Sequence, residues 1–166
     1  MKFVVDGMLG SLTRWLRMLG HDVDYDPERN DNALLKISLD ENRTLLTRDE
    51  QLYGRARSRA IPSFLVPGEK ESERLGFLAK VTGISLEVNM AETRCPRCGA
   101  ELRQTAKAEI AGEVPSKSAQ LYDEYWKCEN RDCGKVYWIG SHWKQIHHIL
   151  EEARKLAGSR FRNDDE

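Results

Sequence analysis

Phe3-Val4-Val5-Asp6-Gly7-Met8-Leu9-Gly10 is the stretch that decides the fold class. A short apolar run of β type stops at a carboxylate and a glycine-bounded loop. Leu12, Trp15, Leu16 and Leu19 then recur at helical spacing until Gly20, a residue suited to ending a helix. The same alternation continues along the chain. Val23 and Tyr25 mark a second strand, Pro27 to Asn30 a polar loop, and Asp31 stands at the N-cap position of a helix carrying Leu34, Leu35, Ile37 and Leu39. Thr44-Leu45-Leu46-Thr47 reads as the third strand, followed by Arg48-Asp49 and a short helix through Leu52, Tyr53 and Ala56. Ile61 to Val66 reads as the fourth strand and Glu69 to Val81 as an amphipathic helix. Strands alternating with helices predict an α/β domain over residues 1–90, with a central parallel sheet flanked by helices.

The whole chain has 166 residues, 40% apolar and 32% charged, which suits one ordinary globular domain with a small satellite module and excludes a wholly disordered chain. No window approaches the ~18 consecutive apolar residues of a membrane helix. Asp6 also interrupts the start of the chain before a signal-peptide core could form, so a cytoplasmic protein with no membrane partner is expected. Lys and Arg number 26 against 27 Asp and Glu, so there is no polycation and any nucleic-acid site must be local. Arg14, Arg17 and Arg48, near the ends of the first and third strands, are the candidates for phosphate contacts, and Arg55, Arg57 and Arg59 form a further basic run. Oligomeric state is not legible in the composition.

Around Glu87 to Thr93 the pattern breaks, and residues 91–142 follow other rules. Cys95 and Cys98 are separated by two residues, Cys128 and Cys133 by four, and a glycine follows each pair. Two such turns can close four thiolates around one ion, and a closed tetrahedral sulfur site suits a single structural Zn²⁺ holding a small zinc-ribbon module together. The alternatives are two disulfides or four free thiols. The 29 residues between Cys98 and Cys128, and the four-residue spacing of the second pair, depart from a compact ribbon. A last helix over 143–158 is predicted from the stripe Trp143, Ile146, Leu150, Ala153 and Ala157, capped by Ser141 and packed on the other parts, and residues 159–166 read as a disordered tail.

In an open parallel sheet, reactive groups gather beyond the carboxyl ends of the strands. Asp6 and Asp49 follow apolar strands directly, and Asp31 opens the helix between strands two and three. Three carboxylates on one rim select a hard divalent cation, Mg²⁺ or Mn²⁺, and the chemistry that follows is hydrolysis of a phosphate ester. Helix caps or solvated loop residues are the plainer reading of the same aspartates. His142, in Ser141-His142-Trp143, either contacts a substrate phosphate at a helix N-terminus or satisfies a local hydrogen bond. Trp138 and Trp143 are expected to fasten ribbon and helix to the core, Trp15 to lie in the core, and Tyr122, Tyr125 and Trp126 either to stack on bases or to form a small core beneath the zinc.

Phe3 to Gly10, with Leu12, Arg14-Trp15-Leu16-Arg17, Leu19-Gly20 and Asp22-Val23, resembles the opening of the Mut-seven C-terminal RNase domain family. The likeness continues through Asp31, Leu45-Leu46-Thr47-Arg48-Asp49, Arg94-Cys95-Pro96-Arg97-Cys98 and Cys133 to Trp143, covering residues 1 to about 150. The resemblance implies a PIN-like nuclease domain with a C-terminal zinc ribbon and metal-dependent RNA cleavage, its acidic cluster falling on Asp6, Asp31 and Asp49. It also implies a fourth acid after the next strand, where this chain offers Glu69, Glu71 or Glu73. RNA, by analogy ribosomal or transfer RNA, is the implied partner. The competing expectation is an inactive PIN-like and zinc-ribbon scaffold that binds RNA or a ribonucleoprotein.

Overall fold

A computed structural model describes residues 1–158. Four strands, β1 (Lys2–Val5), β2 (Asp22–Tyr25), β3 (Thr44–Thr47) and β4 (Ser63–Leu65), alternate with helices α1 (Gly10–Met18), α2 (Asp31–Asp40), α3 (Glu50–Ser58) and α4 (Glu71–Thr82). The strands form one parallel sheet in the order β2-β1-β3-β4, with Val5 opposite both Tyr25 and Leu46. β1 runs to β2 on one side and the chain then returns to β3 on the other. The reversal of strand order therefore falls between the ends of β1 and β3.

Side chains of successive strand residues point to opposite faces, and both faces are covered. Phe3, Val5 and Leu46 pack with Leu12 and Leu16 of α1 and Leu75 and Leu78 of α4. Val4 and Leu45 pack with Leu34 and Leu35 of α2 and Leu52 and Ala56 of α3. The helix expected to begin after a glycine loop starts at Gly10, preceded by a 3-10 turn over Gly7–Leu9, and Gly20 takes the left-handed conformation (φ 86°) just beyond its end. The fourth strand is shorter than the apolar run Ile61 to Val66.

Beyond α4 the chain builds a second sheet from β5 (Leu102–Thr105), the short helix α5 (Ser116–Leu121), β6 (Tyr125–Cys128) and β7 (Val136–Tyr137), in the antiparallel order β5-β6-β7. Its hydrophobic cluster has three buried members, Ile110, Tyr125 and Val136. The final helix, α6 (Trp143–Gly158), returns to the first sheet, where Leu150 and Ala153 join the same cluster as Phe3 and Leu46. The amides of Gln145 and Ile146 bond to the carbonyl of His142, so the helix opens after His142 and not at an N-cap on Ser141. No helix among the described residues is long and apolar enough to cross a membrane. The tail expected over 159–166 lies outside the described residues.

Candidate functional site

Asp6 and Asp49 lie where the strand order reverses, the position at which open α/β sheets hold ligands. The Asp6 amide donates to the Leu46 carbonyl (3.0 Å), which sets the end of β1 against Thr47. Thr47 is fully buried, and its hydroxyl donates to Asp6 Oδ2 (2.7 Å) while accepting from the Asp49 amide (2.9 Å). One hydroxyl thus fixes the Asp6 carboxylate and the backbone at Asp49. Asp49 is also the N-cap of α3, its Oδ1 accepting from the amides of Gln51 (2.7 Å) and Leu52 (2.9 Å). The capping and rim roles coexist, because Oδ2 of Asp49 and Oδ1 of Asp6 keep no hydrogen bond among the described residues.

Asp31 is placed differently. The N-cap of α2 is Asn30, whose side chain accepts from the Ala33 amide (3.0 Å), so the N-cap expected at Asp31 moves back one residue. Asp31 Oδ2 pairs with Arg55 (2.9 Å), and Arg55 also donates to Asn32 Oδ1. The three aspartates are not drawn into one ligand cluster; among the described residues that arrangement belongs to the cysteines. Asp6 and Asp49, each with a free hard oxygen, suit a divalent cation by donor type, whereas Asp31 is paired with Arg55.

The glutamates after β4 separate by what they touch. Glu69 takes Arg48 (2.6 Å), and Glu73 accepts from the amides of Glu69 and Lys70 at the start of α4. Glu71 Oε1 accepts from the Ser11 hydroxyl (2.6 Å) and Arg74 (3.0 Å), leaving Oε2 buried with no partner. Of the basic residues, Arg14 is exposed, whereas Arg17 is 94% buried, its guanidinium donating to the carbonyls of Val23 (3.0 Å) and Arg97 (3.0 Å). His142 is exposed at the start of α6. Tyr125 is buried in the small core of the module with Tyr122 packed against it, as the plainer reading had it, and Trp126 is buried outside that cluster.

Cys95, Cys98, Cys128 and Cys133 place their four Sγ atoms within 4.8 Å of one another, with Cys95 and Cys133 at 3.8 Å and Cys98 and Cys128 at 3.4 Å. Tetrahedral ligation at a Zn–S distance of about 2.3 Å requires sulfurs about 3.8 Å apart, so the donor set fits one ion. The four-residue spacing of the second pair is taken up by Asn130, whose carbonyl accepts from the amides of Cys133 and Gly134 and whose side chain accepts from Asp132. Burial pushes the thiols of Cys128 and Cys133 up. Burial would do the same to Cys95, but hydrogen bonds from the Tyr137 hydroxyl and the Cys98 and Arg97 amides outweigh it and hold Cys95 at about 7. Thiolates packed this closely call for a central positive charge.

The Mut7-C RNAse domain family model matches residues 1–150, the span that holds both the parallel sheet and the cysteine module. The chain belongs to the Mut7-C RNAse domain family. Neither a curated protein nor a solved structure matches it. Membership gives this Mut7-C chain an RNase-like function with RNA as its substrate class. Sequence reading of the Mut7-C site missed Thr47. Its signal was a hydroxyl residue closing a strand two positions before Asp49.

Proposed function

We propose that this Mut7-C domain is a metal-dependent endoribonuclease of PIN type, with Asp6 and Asp49 as the principal ligands of a Mg²⁺ or Mn²⁺ ion, Asp31 as a further ligand and Glu71 offering a fourth carboxylate. The observation that carries this reading is the Thr47 bridge, which ties the Asp6 carboxylate to the backbone at Asp49 and so sets two aspartates, each with an uncommitted oxygen, at the reversal of strand order. When bound, the cation supplies the positive charge that polarises both the phosphodiester and the attacking water. The chain's own contribution is positional. Thr47 orients Asp6, the α3 amides hold Asp49, and Arg55 of α3 pairs with Asp31 at the start of α2. Hydrolysis of this kind makes no use of the ribose 2'-hydroxyl, so products carry 5'-phosphate and 3'-hydroxyl ends. The cysteine module is read as a structural zinc site, because four thiolates close the tetrahedron and leave no position for a reacting water.

The test compares wild type and Asp6→Asn, purified identically, on single-stranded and hairpin RNAs with Mn²⁺, Mg²⁺ or EDTA. Cleavage that requires metal and falls at least 100-fold in the variant is expected, and 2',3'-cyclic phosphate ends would overturn the mechanism. An inactive scaffold would bind RNA with its zinc in place and show no cleavage in either protein.

A further inference from the structure

Two depressions run side by side between α1, the cysteine module and the start of α6. The smaller, about 380 Å³, is bounded by Gly10, Arg14, Arg17, Arg97 and Lys135. The larger, about 560 Å³, is walled by Tyr122, Trp138 and Trp143, with Lys117, Lys135 and His142 among its polar residues. Pro96, Lys135 and Tyr137 line both, so the two form one continuous surface. Neither is lined by a single Asp or Glu, in a chain that carries 27 of them.

The exposed cations on this surface are uncommitted, unlike five arginines elsewhere on the molecule. Arg29, Arg43, Arg48, Arg55 and Arg74 are all ion-paired. Arg14, Arg97 and Lys135 are exposed and have no side-chain hydrogen bond or ion pair among the described residues. Arg17 lies beneath them with its donors committed to carbonyls, and so adds positive potential without being free to bind. Gly10 begins α1 only four residues after Asp6, which brings the basic end of the surface close to the carboxylate rim. At the other end the indole rings of Trp138 and Trp143 and the phenol of Tyr122 line a cavity within the range of small-ligand sites, roughly 300–1,000 Å³. Unpaired cations followed by aromatic walls are the two elements that hold single-stranded nucleic acid, the first through phosphates and the second through base faces.

We propose that this surface is a track for single-stranded RNA, in which Arg14, Arg97 and Lys135 hold the phosphates and the cavity between Trp138, Trp143 and Tyr122 receives an unstacked base. The proposal rests on the ribonuclease reading for its choice of ligand and assigns that enzyme a subsite away from the carboxylates. A base held there fixes the register of the strand relative to Asp6 and Asp49, so cleavage occurs at a set distance from an unpaired nucleotide. A duplex has no base to offer the cavity and binds only through the cations.

The test uses the zinc-loaded full chain carrying Asp6→Asn to suppress cleavage, and a fluorescent 12-nucleotide oligouridylate with one 4-thiouridine. Photo-crosslinks mapped by mass spectrometry are expected at Trp138, Trp143 or Tyr122. Arg14→Ala with Lys135→Ala should flatten the dependence of log Kd on log salt by about 1.4, two phosphate contacts at about 0.7 each. Both residues are exposed, and zinc content checks that the module is intact. Crosslinks confined to other regions, an unchanged salt slope or no binding of the oligonucleotide would overturn the track. The two readings fail separately. Metal-dependent cleavage lost in Asp6→Asn but unaffected by Arg14→Ala with Lys135→Ala sinks the track alone, whereas crosslinks at the cavity in a protein that cleaves nothing sink the nuclease alone.

Discussion

The Thr47 hydroxyl donates one hydrogen bond and accepts another with no exposure to water, so replacing it by valine, which matches its shape, isolates the polar role. Thr47→Val leaves the Asp49 amide without its acceptor and frees the Asp6 carboxylate to turn. A loss of about 1–3 kcal/mol in stability is expected. Cleavage should fall further than that loss explains, with Thr47→Ser restoring most of both; denaturant titration beside cleavage rates measures the two effects. A second buried polar group gives a pH signature. Burial, and then the positive charge of the Met1 amino group, hold His21 at about 4, below its usual 6.5, and its Nε2 is buried without a partner. The folded state therefore favours neutral His21 while the unfolded chain takes up a proton. Stability due to this group is present above about 6.5 and is lost as the pH falls towards 4. His21→Gln should lose less stability than wild type over that interval, read as the shift in denaturation midpoint. At this scale the placement of Asp6 and Asp49 beyond the strand ends was legible because each stands within two residues of the end of an apolar run. The pairing of Asp31 was not, because Arg55 comes from another helix 24 residues away, and the burial of Arg17 depends on a carbonyl 80 residues away.

Between elements, the most extensive helix contact joins α4 and α6, and it is made close by Gly76. A Cβ there would stand 2.9 Å from both the Ala153 carbonyl oxygen and Leu156 Cβ, and neither can retreat without moving α6. Gly76→Ala gains up to about 1 kcal/mol in helix propensity but costs about 1–3 kcal/mol in overpacking, so the variant should be less stable than wild type. A lower thermal midpoint measures this, and an unchanged or higher one would mean that α6 shifts freely. The existence of both helices followed from apolar spacing, since Leu75 and Leu78, and Leu150 and Ala153, recur at helical intervals. Their mutual packing had no local signal. Nor did the segment between Cys98 and Cys128, where the weakly patterned residues form β5, a 3-10 turn and α5 around Ile110 and Tyr125.

Across the whole molecule, two sheets of unequal self-sufficiency share one chain. The parallel sheet is enclosed by two large clusters, while the hydrophobic cluster of the cysteine module has three buried members, too few to offset the ordering of roughly 50 residues at about 1–2 kcal/mol each for the backbone. The module is therefore expected to owe its order to an ion held by the four cysteines. Removing the metal with a strong chelator should raise amide hydrogen exchange across β5, β6 and β7 by orders of magnitude while the amides of β1 and β3 stay protected. Uniform exchange across both sheets would show instead that the module and the nuclease sheet unfold as one. The cysteine spacing announced the metal site in the sequence, and the alternation of apolar runs with helical spacing announced the sheet. How the module docks was hidden, because each hydrogen bond that holds it, Thr93 to Met18, Arg94 to Arg17 and Arg17 to Arg97, ends on a backbone carbonyl far away in the sequence.

Those contacts also set an order of events during synthesis. The Met18 carbonyl at the end of α1 is met by the Thr93 hydroxyl and that of Arg17 by the Arg94 amide, and the uncovered side of α4 waits for Leu150 and Ala153. At about 5–20 residues per second, the ribosome delivers these partners several seconds after α1 and α4 emerge. Until then the nascent nuclease sheet has an open apolar flank, and the interval is long enough for chaperones to engage it.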